Sequence, residues 1–276
     1  MGLVGARIAE FDVVYVWNAN PVLTLPQGDR IAAAAERGDT TLAVHTPFMD
    51  ETAEAAHIVL PAPLYLEKDD VIYSYWHNYL IYNTAVAEPP GEALRETIVM
   101  RRLADALGVS DHPLIREDPW DAVDVAIRGT GATLRELKER GVIRLKTPDY
   151  YTYNTATGRV EFFSETALRR GLSPLPQYKP PKNLYVLTFP PNPLYTNSQF
   201  REVYGEPQPV VYVNPGDYVG ECIVLSNENG EVVVKAVPSG DVPRGVIAYV
   251  GIGKDLRGSP INAIARGEPG PYGGTP

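Results

Sequence analysis

Several polar stretches carry the side chains through which this chain could bind a ligand. Asn18-Ala19-Asn20-Pro21 follows one apolar run, residues 13–17, and His45-Thr46 follows another, residues 42–44. Carboxamides both donate and accept hydrogen bonds, so Asn18 and Asn20 suit the edge of a nucleotide base. The same residues also close Asx-turns, in which the side chain bonds its own backbone. His45 carries the same ambiguity, with no second His or carboxylate beside it at metal-ligand spacing. Asp50 or Thr52 caps a short helical turn, and Glu51 suits its positive end. Farther on, Tyr195-Thr196-Asn197-Ser198-Gln199 is either a loop or a ligand contact. Gly251-Ile252-Gly253 and Ser259-Pro260-Ile261-Asn262 are weaker signals of the same kind. Glu67-Lys68-Asp69-Asp70 offers acid–base groups but reads more simply as a solvated charge run, and His57 as a packed residue between helix and strand. There is no Gly-x-Gly-x-x-Gly, Walker or Gly-x-Ser-x-Gly motif.

The elements that must hold these residues are legible from periodicity. Residues 13–17, 42–44 and 58–62 are continuous apolar runs, the pattern of strands buried on both faces of a parallel sheet. Between them lie an Ala-rich helix over 29–37, capped by Asp29 and stopped by Gly38, and the short turn over 50–56. Ligands of open α/β sheets sit at the carboxyl ends of the strands, where Asn18–Pro21 and His45–Asp50 fall. Residues 71–82 are dense in aromatics and read as strand or extended chain rather than free surface. Helices follow over 94–107, from Asp118-Pro119-Trp120 to about 127, over 133–140 and over 164–170. A hairpin turn at 155–159 joins strands within 153–163. The proline-rich stretch 171–181 is the clearest boundary. Beyond it, short β runs at 184–188, 210–213, 222–225, 231–237 and 246–250 read as a small barrel or sandwich.

Composition limits the classes of function. A chain of 276 residues, 44% hydrophobic and 21% charged, is ordinary for a globular protein. A net charge of −9 argues against a nucleic-acid backbone as partner. The single cysteine, Cys222, excludes an internal disulfide and any Cys-rich zinc site built from this chain alone. No apolar run approaches membrane-spanning length, and the first residues lack a secretory leader's apolar core. A cytoplasmic location is expected, unless a partner carries the chain elsewhere. Seventeen Tyr and 26 Pro suit a thermophile.

The order of these pieces resembles the C-terminal part of the molybdopterin oxidoreductases of the dimethyl sulfoxide reductase type. The resemblance is carried by Trp17-Asn18-Ala19-Asn20-Pro21, by the stretch from His45 to Ala53, and by Ala56-His57-Ile58-Val59-Leu60-Pro61-Ala62. Leu66-Glu67-Lys68-Asp69-Asp70-Val71, Ala87-Glu88-Pro89-Pro90-Gly91-Glu92-Ala93, Thr157-Gly158-Arg159-Val160-Glu161-Phe162-Phe163-Ser164 and Gly171-Leu172-Ser173-Pro174-Leu175-Pro176 continue it. It implies a Rossmann-like α/β domain over 1–108, a helical connection and linker over 109–182, and a dinucleotide-binding β-barrel of double-psi type over 183–276. It further implies a cofactor, molybdopterin guanine dinucleotide with Mo or W. Asn18, Asn20 and Pro21 would approach one guanosine-diphosphate arm, with His45, Thr46 and Asp50 beside its ribose or base. Thr196, Asn197, Gln199, Gly251 and Asn262 would reach pterin or phosphate.

Two departures from the family pattern stand out: His45 replaces the usual Asp, and the stretch from Val213 to Val219 is shortened where the family carries a short helix. The family's iron–sulfur or Cys-bearing domain and metal ligand have no counterpart here. The resemblance therefore implies a separately encoded N-terminal catalytic half as partner, with an electron-transfer subunit as a further one. Chemistry on a sulfur or arsenic oxyanion would depend on that half. The chain alone would be inactive and, its docking surface bare, prone to self-association. Two alternatives are a non-catalytic interaction module and a stand-alone nucleotide binder. On the cofactor reading, the neighbourhoods of Asn20 and Asn262 must lie together.

Overall fold

The computed structural model describes residues 5–147, 149, 151–178 and 185–267. The chain forms two compact units. Met1–Pro63, Pro90–Leu94 and Asn183–Pro276 make the first, and Leu64–Pro89 with Arg95–Lys182 the second.

In the first unit the three apolar runs are parallel strands, β1 (Val13–Trp17), β2 (Thr41–Thr46) and β3 (Ile58–Pro61), in the order β1-β2-β3. The register pairs Val14 with Leu42, Val16 with Val44, and Trp17 with His45. Side chains alternate across a sheet, so Val14, Val16, Leu42 and Val44 share one face. That face packs on Val22, Ile31, Ala35 and Ala53, supplied by the helices Pro21–Thr24, Asp29–Glu36 and Glu51–Glu54. The opposite face departs from the expected burial on both sides. There Val13 is 65% exposed, Trp17 56% and Ile58 49%. Asp29 opens its helix without capping it. Gly28 holds the cap position, because a Cβ there would lie 2.1 Å from the Pro21 carbonyl oxygen. His57 is exposed instead of packed, and its Nδ1 accepts a hydrogen bond from the Leu42 N–H at 3.1 Å.

In the second unit β4 (Asp70–Ser74), β5 (His77–Asn83) and β6 (Val142–Arg144) form an antiparallel sheet over a core of Leu80, Ile127, Leu134, Leu137 and Ile143. The expected helices run over Glu96–Ala106, Pro119–Ile127 (capped by Asp118) and Leu134–Arg140 (capped by Thr133). Gly108 and Gly141 end two of them with φ of +70° and +72°. Three expectations hold only in part here. The aromatic stretch is strand as expected, forming the β4–β5 hairpin, but its tip leaves Tyr75 and Trp76 almost wholly exposed. The charge run is not simply solvated: Lys68 pairs with Glu96, and Asp69 and Glu67 accept from the backbone N–H groups of Ala85 and Leu64. The turn at 155–159 exists, but the described residues of 151–163 contain no strand. Side chains of Thr155 and Glu161 take up the local backbone groups that a ladder would use.

The remainder of the first unit is a curled five-stranded half-barrel. Its strands are β7 (Val186–Thr188), β8 (Val210–Val213), β9 (Cys222–Asn227), β10 (Gly230–Pro238) and β11 (Val246–Tyr249), in the order β7-β11-β8-β10-β9. β10 runs parallel to β8 and β11 to β7, while the other neighbours are antiparallel. Val211, Val213, Val232, Val234 and Tyr249 fill its core. In the shortened stretch between Val213 and Val219, a single 3-10 turn, Pro215–Asp217, is capped by the Asn214 side chain. The last residues of the linker, 179–181, and the tail from 268 onward lie outside the described residues.

Candidate functional site

The strand-end turns take their shape from local chemistry. Asn18 follows β1 with φ +45°, a left-handed conformation that Asn adopts more readily than most residues, and its N–H donates to the His45 carbonyl. Asn20 precedes the helix Pro21–Thr24, whose Pro21 sits at the first helical position, where a missing N–H costs nothing. The Asn20 side chain does not cap that helix. It is buried, its Oδ1 accepting from the Thr52 hydroxyl at 2.8 Å and its Nδ2 donating to Glu51 Oε2 at 2.7 Å. Asp50 caps the next helix, accepting from the Thr52 and Ala53 N–H groups. Burial pushes its carboxyl up from the ordinary value, against the pull of those two bonds.

Glu51 is the junction of the site. Arg201 meets its carboxylate as a fork, at 2.7 and 2.9 Å, and Lys254 Nζ lies 2.7 Å from Oε1. With the bond from Asn20, one carboxylate gathers donors from three separate stretches of chain. Burial alone would raise the Glu51 carboxyl. The hydrogen bonds from Arg201, Lys254 and Asn20 outweigh it and hold the group well below the usual carboxylate range. Arg201 is held above its ordinary value by Glu51 and also reaches Glu206 and the Ser198 carbonyl. No motif in the sequence marked Arg201 or Lys254. A salt bridge across 150 residues leaves no local pattern to read.

Arg201 and Lys254 anchor two loops, and those loops frame a cleft. Its volume is about 230 Å³, lined by Phe189, Asn192, Tyr195, Asn197 and Gly251 among others. Asn197 is exposed at φ +53°, in a turn where the Gln199 N–H donates to the Thr196 carbonyl. Gly251, at φ +89°, leaves room beside Asn192, whose Cβ a side chain would crowd at 3.0 Å. Below it, Gly253 passes so close to Tyr249 that a Cβ would lie 2.4 Å from the phenol oxygen. Burial pushes the Tyr249 phenol up to about 12, so it remains protonated and donates to the Lys254 carbonyl at 3.2 Å.

Of the residues singled out in the sequence, Asn197 and Gly251 line this cleft, and Thr196 and Gln199 are exposed in the adjoining turn. Asn262 is buried: its amide donates to the Thr24 carbonyl at 2.9 Å and its own carbonyl accepts from Gln27. Thr24 in turn donates to the Asn20 carbonyl, so the Asn20 and Asn262 neighbourhoods meet across one helical turn. His45 is wholly buried, Nε2 bonding the Leu94 carbonyl at 3.0 Å; since a carbonyl only accepts, Nε2 carries the proton. Its Nδ1 is buried without a partner among the described residues. Thr46 is buried at the strand end, and Asn18 is exposed.

The cleft has no charged residue in its lining, which is made of amides, backbone groups, aromatic and proline rings and the aliphatic Ile252. Such a lining fits a flat, uncharged heterocycle. The volume is below the roughly 300–1,000 Å³ of complete small-molecule pockets, so it fits one end of a large cofactor. The described residues contain no group of three or more His, Cys, Asp or Glu side chains placed to hold a metal ion.

Residues 3–106 match the family model of molybdopterin oxidoreductase. A probable oxidoreductase, YoaE, of Bacillus subtilis is 28% identical over 281 residues, which is 91% of this chain and 40% of YoaE. Acetylene hydratase of Syntrophotalea acetylenica is 28% identical over 232 residues, covering 72% of this chain and 31% of its own. The solved structure of the acetylene hydratase from Pelobacter acetylenicus superposes with a TM-score of 0.69 over 89% of this chain and 38% of that one. At 22% identity that likeness concerns the fold. This chain thus spans two-fifths or less of the length of these relatives.

Proposed function

The chain belongs to the molybdopterin oxidoreductase family, which implies a molybdopterin cofactor with Mo or W, and we propose that its first unit grips the guanine dinucleotide form of that cofactor. The observation that carries this is the junction at Glu51. It brings the strand-end turn of Asn20 and the loops of Asn197 and Gly251 to one carboxylate, with an uncharged cleft beside two of them. Asn197, Gly251, Thr196 and Gln199 offer groups to the pterin, and Asn18 to the nucleotide arm beside the buried Thr46. Asn20, Pro21, His45, Asp50 and Asn262 hold those groups in place through bonds within the protein. The half-barrel is the larger part of a double-psi-type barrel on this reading. When bound, the cofactor supplies the redox-active metal, while this chain orients its organic arms.

The metal's protein ligand and the iron–sulfur or Cys-bearing domain come from a partner polypeptide, and electrons pass through it or a further electron-transfer subunit. The exposed Val13, Trp17 and Ile58 on the sheet face opposite the helices support a partner, since parallel sheets are seldom left open on one side. The substrate is a small molecule, a sulfur or arsenic oxyanion by resemblance. No described helix is long and apolar enough to cross a membrane, and the complex works in the cytoplasm unless the partner exports it. Co-expression with such a partner in a molybdopterin-producing host, followed by oxidation and pterin fluorescence, tests the proposal. The expected result is co-elution with about one pterin nucleotide or more per complex. A stable complex without pterin or guanine nucleotide would overturn the cofactor reading.

A further inference from the structure

We infer that Glu51 is the positioning residue of this site: by holding Asn20, Arg201 and Lys254 together, it fixes both loops that frame the cleft onto the strand-end turn. The three bonds reach separate segments. Asn20 belongs to the turn after β1, Arg201 closes back on the Ser198 carbonyl next to Asn197, and Lys254 follows Gly251 by three residues. Each bond alone fixes one segment to the short helix of Glu51, and the three together fix the segments to one another.

The groups around the carboxylate are all committed to this arrangement. Thr52 holds the other end of the Asn20 amide, and its hydroxyl accepts from the Val22 N–H. Asp50, beside Glu51, is occupied by capping bonds, and Glu206 meets Arg201 from the outer side. The Glu51 and Arg201 side chains are only 9% and 11% exposed, so water competes weakly for these bonds. The cleft of Asn197 and Gly251 keeps its shape because both its loops end on one carboxylate.

That the positioned cleft takes a pterin rests on the function proposed above; the positioning itself does not. The test uses the full chain and Glu51→Gln, comparing backbone hydrogen exchange region by region. Local opening of the two loops should raise exchange over 190–206 and 251–256 by about tenfold or more, while β2, β8 and β10 keep their protection. Lys254→Met, a milder change, should loosen 251–256 and leave 190–206 as it was. Unchanged exchange in both loops, or a uniform rise throughout the chain, would overturn the inference. So would Lys254→Met loosening neither loop. Pterin content of complexes purified with the partner adds a second readout, in which Glu51→Gln should fall about tenfold or more below wild type. A wild-type complex without pterin defeats the cofactor reading, and the exchange pattern still decides the positioning role.

Discussion

Removing the Glu51 carboxylate leaves Arg201 and Lys254 without their shared acceptor, and taking one member from such a buried cluster costs about 3–5 kcal/mol. Glu51→Ala should lose about that much in urea unfolding at pH 7. The sign of the pH dependence follows from the depressed carboxyl. Its contribution is present above the unfolded value of about 4.5 and fades as pH falls toward the depressed folded value. The gap in stability between wild type and Glu51→Gln should therefore be widest near neutral pH and shrink below about pH 4. A gap that stays constant or widens on acidification would contradict the assignment. Residue types in the sequence marked Asn20, Asn197, Gly251 and Asn262 as worth attention. They gave no sign that Asn20 and Asn262 spend their amides inside the protein, because a carboxamide reads alike whether it meets a ligand or a carbonyl. His45 was equally ambiguous, and its burial against Leu94 depends on a contact 49 residues away.

Elements were far more legible, since their signals are local. The three parallel strands, the helix stops at Gly38, Gly108 and Gly141, and the cap at Asp118 follow from apolar runs and turn residues. Asp118→Ala should cost about 1 kcal/mol by removing the bond to the Trp120 N–H, read as a small drop in thermal midpoint. Gly253→Ala belongs to this scale too, because the loop after β11 must pass over the buried Tyr249 hydroxyl. A methyl group there should destabilise the unit by about 1–3 kcal/mol, and a neutral result in calorimetry would contradict the close approach. Elements failed to show where burial depends on distant chain. Strand-like runs predicted two buried faces, yet Val13, Trp17 and Ile58 lie open, and the aromatic run, though it forms the expected strands, leaves Tyr75 and Trp76 exposed at its tip. Hydrophobicity records that a surface is covered in use, not which polypeptide covers it.

At the scale of the molecule, the exposed side chains of Val13, Trp17 and Ile58 on one sheet face are the surface that self-association or a partner would cover. Purified alone, the chain should self-associate with rising concentration, and Trp17→Glu combined with Ile58→Glu should keep it monomeric in sedimentation. The same double substitution should abolish co-elution with the partner; a complex that forms unimpaired would place the interface elsewhere. On the function proposed above, this fold grips a pterin nucleotide. The most direct measurement is the pterin and guanosine monophosphate released on acid oxidation of the co-purified complex. Pterin and nucleotide in equal amounts, at about one or more per complex, are predicted. An intact complex yielding neither would contradict the account.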